Sequence, residues 1–194
     1  MTDFNIEPEG ATPLTPEERE GLIPSHVTLR RELNELEQQN ILEADAWAFA
    51  RRRDPLKESF GRSLHSRMLG NVWSWAGEYR KTNKNIGVDR ELIRVRIPEA
   101  LDNFRYWVEH ETFPPDEIAA RFHHSLVHIH PFPNGNGRWS RMMGDVLAVR
   151  LGRPHFTWGS KNLNTASDTR RTYIETLRAA DRHDYTKLTP FARS

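Results

Sequence analysis

Apolar residues recur every three or four positions along most of this chain, which is the spacing that gives an α-helix one buried face. Between Leu56 and Trp75 this spacing predicts one helix, which Gly77 ends. The run Thr15-Pro16-Glu17-Glu18 predicts a short helix, because an N-cap residue precedes a proline and two acidic residues. Further helices are expected from about residue 25 to Pro55 and over 98–110, 115–129, 137–151, 167–181 and 184–192.

One short stretch departs from the helical spacing. Ile93, Val95 and Ile97 alternate with arginines, and alternation with a period of two is typical of a β-strand. We therefore expect an all-α, mostly helical fold that carries one short β-hairpin over residues 83–97.

The composition limits the class of protein. With 194 residues, of which 37% are hydrophobic and 28% charged, the chain has the size of one globular domain. We divide it into an N-terminal acidic helical segment with a possible regulatory role, 1–55, and a core domain, 56–194. The sequence contains no cysteine, no apolar run that could span a membrane and no start typical of a signal peptide, so the expected setting is the cytoplasm.

The formal net charge of +1 hides an asymmetry between the two ends of the chain. Residues 1–50 carry 11 acidic and 3 basic side chains, whereas the remaining 144 carry 25 basic and 16 acidic ones. Three interpretations stay open: the acidic segment lies across a basic body, the basic body binds an anion such as a nucleotide, or the difference arose by chance. Binding to nucleic acid is not expected, because the basic residues are dispersed.

The most informative stretch joins two predicted helices and reads His130-Pro131-Phe132-Pro133-Asn134-Gly135-Asn136-Gly137-Arg138-Trp139-Ser140-Arg141. A glycine-rich turn that leads into a helix aims backbone N–H groups at one point, where the helix dipole adds positive potential. Arg138 and Arg141 are three residues apart and share one side of the helix entrance. The pattern predicts a polyphosphate site with His130 beside it as a general base.

This stretch resembles the motif of the Fic family, which reads H-P-F-x-[D/E]-G-N-G-R-x-x-R. The resemblance extends to Trp75–Arg80 and the segment after it, which are similar to the family's flap, and to the C-terminal helices, so that it covers roughly residues 56–190. It implies a mostly helical enzyme, a protein adenylyltransferase that moves AMP from ATP to a hydroxyl side chain of a target protein.

The resemblance also implies roles for individual residues. His130 is the base that takes the proton from the target hydroxyl, and Phe132 packs inward to fix the loop. The target protein docks along the flap by strand pairing. The implied nucleotide-binding residues are Gly135, Asn136, Gly137, Arg138 and Arg141.

Asn134 departs from the family pattern, which has Asp or Glu at this position as a ligand of Mg²⁺. An amide offers an oxygen without a charge, whereas Mg²⁺ favours carboxylate, phosphate and water oxygens. We expect Mg²⁺ to accompany the nucleotide, with Asn134 as a weak ligand; low activity or a different donor are the alternatives.

Fic enzymes are often inhibited by a helix with the pattern (S/T)-x-x-x-E-(G/N), whose Glu pairs with the second motif arginine, here Arg141. Two N-terminal glutamates approach this pattern. Glu20 precedes a glycine but has Pro16 in the Ser/Thr position, and Glu32 follows Thr28 but precedes a leucine. Both are inhibitory candidates, and a separate antitoxin-like partner is the competing expectation.

Two other functions compete with AMP transfer, and a zinc site is a separate candidate. A Fic-fold phosphotransferase would carry a lysine in the anion loop, which Gly135-Asn136-Gly137 lacks. A degenerate module would bind nucleotide or protein without turnover, and Asn134 is the only residue that favours this alternative. A zinc site on His124 and His128, which are one helical turn apart, lacks a third ligand at a convincing spacing.

Overall fold

The computed structural model of the chain describes residues 12–25, 27, 30–160, 163 and 167–194, without the side chains of Arg30 and Ser160. Eight α-helices lie in these ranges, together with single 3-10 turns at Arg90–Leu92 and Trp158–Ser160. The helices are α1 (Pro16–Arg19), α2 (Arg30–Phe49), α3 (Glu58–Leu69), α4 (Ile93–Glu109), α5 (Pro115–Ile129), α6 (Asn136–Arg150), α7 (Asp168–Ala180) and α8 (Leu188–Arg193). None of the helices in the described part of the chain combines the length and hydropathy needed to cross a bilayer.

The core is centred on α5, which packs against both α4 and α6. Phe122 and Leu126 of α5 are fully buried, as are Met143 and Leu147 of α6. Helix α2 packs on α3, and its buried residues belong to the same apolar cluster. Because α5 and α6 are neighbours, the end of one and the start of the other lie side by side, and the motif forms the connection between them.

The expected β-hairpin over residues 83–97 is wrong. Ile93–Glu109 is one continuous helix, residues 83–89 contain no strand, and the sole β pairing among the described residues is an isolated bridge. Ile93, Ile97 and Leu101 are buried at a spacing of four, whereas Val95 is 61% exposed. Their spacing is therefore helical. Pro98 lies inside the helix instead of at its start.

Most of the other predicted helices agree with the structure within a few residues. The helix expected over 115–129 has those bounds, and the one expected over 137–151 is α6, Asn136–Arg150. The helix expected up to Trp75 ends earlier, at Leu69. The predicted start of the second helix falls partly on residues 26, 28 and 29, which lie outside the described residues.

The N-terminal segment is attached to the chain that follows α3. Thr15 caps α1 through a reciprocal capping box with Glu18. The indole Nε1 of Trp75 donates to the backbone oxygen of Glu18 at 2.9 Å, and Leu22 forms the isolated antiparallel bridge with Trp73. Nearer its start, Thr12 of this segment contacts His130 and Asn134 of the motif loop.

Candidate active site

The motif loop turns the chain from α5 into α6 through two residues with left-handed backbone. His130 ends α5 with φ 54° and ψ 60°, and Gly135 precedes α6 with φ 78°. A Cβ at Gly135 would lie only 2.6 Å from Leu69 Cδ1. Glycine is therefore required at this position both by its backbone angle and by the close approach of α3.

Hydrogen bonds and ring packing fix the shape of this loop. The amide of Asn136 accepts from the backbone N–H of Phe132 at 2.9 Å and donates to its oxygen at 2.8 Å. The Phe132 ring is fully buried and stacks on His65 at 3.7 Å between ring centres. The side chain of Asn136 thus holds the loop, and only its backbone N–H is available to a ligand.

His65 of α3 supports the loop by packing against it. This residue was not identified from the sequence. Its Nδ1 accepts from the N–H of Gly77 at 2.9 Å, so its Nε2 bears the proton and donates to the oxygen of Asn134 at 3.0 Å. Complete burial lowers the pKa of His65 to about 3. The imidazole is therefore neutral at physiological pH and serves as a fixed bridge between α3, the chain at Gly77 and the loop.

His130 is placed as a neutral base. Its Nδ1 lies 3.3 Å from the backbone oxygen of Val127, and a carbonyl oxygen can only accept, so Nδ1 carries the proton and Nε2 has a free lone pair. Burial, with smaller contributions from Arg80 and Lys84, lowers the pKa of His130 to about 4. Its Nε2 faces a hydroxyl of the N-terminal segment, Thr12 Oγ1, at 2.6 Å.

Arg80 connects the flap, defined here as residues 81–89, to the catalytic loop. It is 3% exposed, and its Nε donates to the oxygen of His130 at 2.7 Å. Its Nη1 donates to the oxygen of Thr82 at 2.8 Å, and its Nη2 donates to the oxygen of Val88. A Cβ at Gly87 would lie 2.5 Å from His130 Cβ, so the flap backbone runs directly against the imidazole.

The first turn of α6 is suited to binding an anion. The leading N–H groups of a helix have no acceptor within the helix, and the helix dipole makes this end positive. Arg141 lies along the same turn, because a Cβ at Gly137 would be 3.7 Å from its Nη1. The Arg141 guanidinium also lies 5.6 Å from the centre of the Tyr173 ring on α7.

One cavity of about 420 Å³ brings these groups together, within the usual range for a small-molecule site. Helix α7 completes its wall and adds Arg170 and Arg178, two cations that the motif does not contain. The residues predicted from the sequence that line it are His130, Gly135, Asn136, Gly137, Arg138 and Arg141.

A carboxylate from α2 pairs with Arg138, one of the residues that line the cavity. Glu37 is 6% exposed, and its Oε2 accepts from Arg138 Nη1 at 2.6 Å while its Oε1 accepts from Trp73 Nε1 at 2.7 Å. Within the described residues, no carboxylate forms an ion pair with Arg141. Neither Glu20 nor Glu32, the glutamates that the sequence suggested, is the partner of Arg138, and their inhibitory role stays a prediction.

The residues around Asn134 do not fit a magnesium site held by the protein. The Asn134 side-chain oxygen accepts from the N–H of Gly135 at 2.6 Å, and its amide nitrogen donates to the oxygen of Thr12 at 3.0 Å. No cluster of three His, Cys, Asp or Glu residues exists in the described ranges. The role of Asn134 in the structure is to connect the loop to the N-terminal segment.

The histidine pair on α5 is engaged with protein partners. His124 Nε2 lies 2.9 Å from Asp181 Oδ1, and its Nδ1 lies 3.0 Å from the hydroxyl of Tyr185. With both ring nitrogens engaged, His124 connects α5 to the chain after α7 and offers no lone pair to zinc.

Comparison with known proteins agrees with the motif. Residues 55–148 match the family model described as Fic/DOC family. Protein adenylyltransferase Fic of Aedes aegypti is 31% identical over 134 residues, which are 67% of this chain and 25% of that relative. The chain thus spans about a quarter of the length of this curated relative.

Solved structures share the fold over most of the chain. Fic-1 from C. elegans superposes with a TM-score of 0.66 at 23% identity, covering 90% of this chain and 51% of that one. BepC from Bartonella tribocorum, described with bound AMPPNP, gives a TM-score of 0.63 at 17% identity. The match covers 92% of this chain and 97% of the BepC chain. Sequence and fold together define a Fic domain, and the chain belongs to the Fic/DOC family.

Proposed function

We propose that this chain transfers AMP from ATP to a hydroxyl group on a protein. The observation that carries the proposal is the position of a neutral imidazole, His130, in the same cavity as the N-terminus of α6 and the motif arginines. Relatives named protein adenylyltransferase support this choice of reaction, as does the AMPPNP described in the BepC structure.

The chemistry follows from the groups in the cavity. The acceptor hydroxyl gives its proton to Nε2 of His130 as its oxygen attacks the α-phosphorus of ATP. The new O–P bond forms, the bond from the α-phosphorus to the bridging oxygen breaks, and pyrophosphate leaves. Preorganised N–H donors of α6 stabilise the charge that develops on the phosphoryl oxygens, and Arg138 and Arg141 hold the leaving phosphates.

The rest of the cavity suits the nucleoside. Val127 of α5 and Ile174 and Leu177 of α7 line its apolar side. A purine ring gains free energy by burying its faces against such side chains, while the phosphates reach the N-terminus of α6. Mg²⁺ is expected to arrive with ATP, and no step above depends on a metal ligand from the protein.

In this proposal the flap recognises the target protein, and α2 limits the activity. A target segment docks against the flap next to His130, where a Cβ added at Gly87 would lie 2.5 Å from His130 Cβ. Glu37 competes with a phosphate for Arg138 and limits turnover from within the chain. An antitoxin-like partner is the alternative source of control.

Position-specific labelling of ATP tests the reaction. Cell lysate incubated with the protein and ATP labelled at the α-phosphate should gain protein-bound label, whereas ATP labelled at the γ-phosphate should give none. Labelling from the γ-phosphate alone would indicate phosphotransfer. Nucleotide binding without label from either position would indicate a binding module. A His130→Ala variant run in parallel gives the background.

A further inference from the structure

The N-terminal segment brings a hydroxyl to the catalytic base. Thr12 Oγ1 lies 2.6 Å from Nε2 of His130, although 118 positions separate the two residues along the chain. Thr12 is 5% exposed and lines the same cavity as the N-terminus of α6. Oxygen, imidazole and anion site therefore meet at one place, as they must when an acceptor hydroxyl is bound for transfer.

Hydrogen bonds of Thr12 and of the residues that follow it hold Thr12 in this position. The Thr12 backbone oxygen accepts from Asn134 Nδ2 at 3.0 Å, and the oxygen of Pro13 accepts from Lys84 Nζ at 3.0 Å. Glu18, which caps α1, accepts from the hydroxyl of Thr82 at 2.9 Å and also pairs with Lys84. The segment is thus held between the motif loop and the flap, the position that a docked target segment would take.

The direction of the hydroxyl hydrogen bond is set by the imidazole. Because Nδ1 of His130 donates to Val127, Nε2 can only accept, and Thr12 must be the donor. A neutral imidazole that accepts from an alcohol is the arrangement of a general base with its nucleophile.

We propose that Thr12 is a modification site, the acceptor hydroxyl that this chain adenylylates on itself. The inference rests on the proposed AMP transfer and adds the identity of one acceptor. Thr12 Oγ1 attacks the α-phosphorus of ATP, its proton passes to Nε2 of His130, pyrophosphate leaves, and AMP stays on Thr12 as a phosphodiester. ATP is the sole co-reactant.

The test is self-labelling of the purified full chain with ATP, followed by peptide mass spectrometry. Trypsin releases Thr12 in the N-terminal peptide that ends at Arg19. Wild type should gain the mass of one AMP on this peptide, and fragmentation should place it on Thr12. Thr12→Val should abolish the gain, and Thr12→Ser should retain it within a few-fold. Thr2→Val, which removes a hydroxyl from the same peptide, should leave it unchanged.

Dilution separates reaction within one chain from reaction between chains. Because Thr12 Oγ1 is already hydrogen-bonded to His130 of the same chain, the reaction needs no second molecule. The labelled fraction at a fixed time should therefore not change across a tenfold dilution. A rate that falls in proportion to concentration would overturn the inference, as would AMP on another residue while Thr12 stays unmodified.

Lysate proteins distinguish failure of this inference from failure of the proposed function. If wild type transfers AMP to lysate proteins in a His130-dependent manner but never to Thr12, the modification site is wrong and the reaction stands. If no AMP reaches any protein, its own chain included, both are wrong.

Discussion

The motif loop, residues 130–135, and the N-terminal segment, residues 12–18, meet at one hydrogen bond but are held in different ways. The loop is fixed from inside the core by a buried ring stack on His65 and by Asn136. The segment is held mainly by polar contacts to Asn134, Lys84 and Thr82. The base, His130, is therefore built into the core, whereas Thr12, which faces it, is held mainly by hydrogen bonds between polar groups.

The largest effect should come from removing the base itself. His130→Ala should lower AMP transfer by about 10²–10⁴-fold, the usual loss for general base catalysis, while ATP binding changes little and the melting temperature falls because a buried side chain is lost. His110→Ala is the control, since His110 is an exposed histidine at the end of α4 that does not line the cavity. Initial rates, calorimetric ATP titration and thermal unfolding measure the three quantities. Wild-type rates in His130→Ala would contradict the mechanism.

Acid should weaken the fold that holds the base. The pKa of His65 is about 3 and that of His130 about 4 in the folded chain, against 6.5 for an ordinary histidine. Below pH 6.5 the unfolded chain binds protons that the folded chain does not, so stability is fully present above this pH. It should fall by about 1.4 kcal/mol per pH unit for each imidazole as the pH decreases toward the folded pKa.

Urea unfolding at several pH values measures this loss. A free energy of unfolding that stays constant from about pH 6.5 to about pH 4 would show that these imidazoles are not buried in their neutral form. The AMP-transfer rate provides a second readout. For enzyme that is still folded, the rate should show no inflection near pH 6.5.

The rigidity of the loop is tested at its glycine. Gly135→Ala should destabilise the fold by more than the roughly 1–2 kcal/mol that a left-handed backbone costs a residue with a side chain, because its Cβ would also meet Leu69. Gly152→Ala is the matched control, with the same φ of 78° but no atom within 4 Å of the added Cβ. Denaturant unfolding gives both values. Equal losses would show that Leu69 does not restrict the loop.

The smallest expected effect is at the carboxylate that pairs with Arg138. Glu37→Gln retains an oxygen for Trp73 Nε1 and removes the charge, so it should raise ATP affinity and AMP transfer by up to about tenfold, equal to about 1.4 kcal/mol. Glu35→Gln is the control, because Glu35 is on the same helix but exposed and pairs with Arg31. Lower activity in Glu37→Gln would mean that the pair positions Arg138 for catalysis.

The sequence predicts the parts of this protein that depend on local pattern. Helix α5 has its predicted bounds because its apolar spacing is regular over 15 residues, and the motif loop is recognisable because its residues are contiguous. The hairpin prediction failed because three alternating apolar residues are too few to separate a strand from a helix. Ile97 and Leu101, one on each side of Pro98, belong to the same buried helical face.

The contacts that sequence reasoning missed are those between distant positions. Glu37 and Arg138 are 101 positions apart, and Thr12 and His130 are 118 apart. No local pattern distinguishes Glu37 from Glu20 or Glu32, since all three lie in an acidic segment. The charge asymmetry between the two ends was the available signal, but a position of the acidic segment across the basic body was only one of its three interpretations, and it selected no residue.

A crystal structure of the wild-type chain with α,β-methylene ATP, which lacks the bond that the reaction breaks, tests the central claim most directly. We predict that Thr12 Oγ1 lies about 3–3.5 Å from the α-phosphorus, the separation of a near-attack geometry, with its hydrogen bond to His130 intact and the outer phosphates against Arg138 and Arg141. A nucleotide bound in the reverse direction, with its γ-phosphorus beside the imidazole, would contradict AMP transfer by this site.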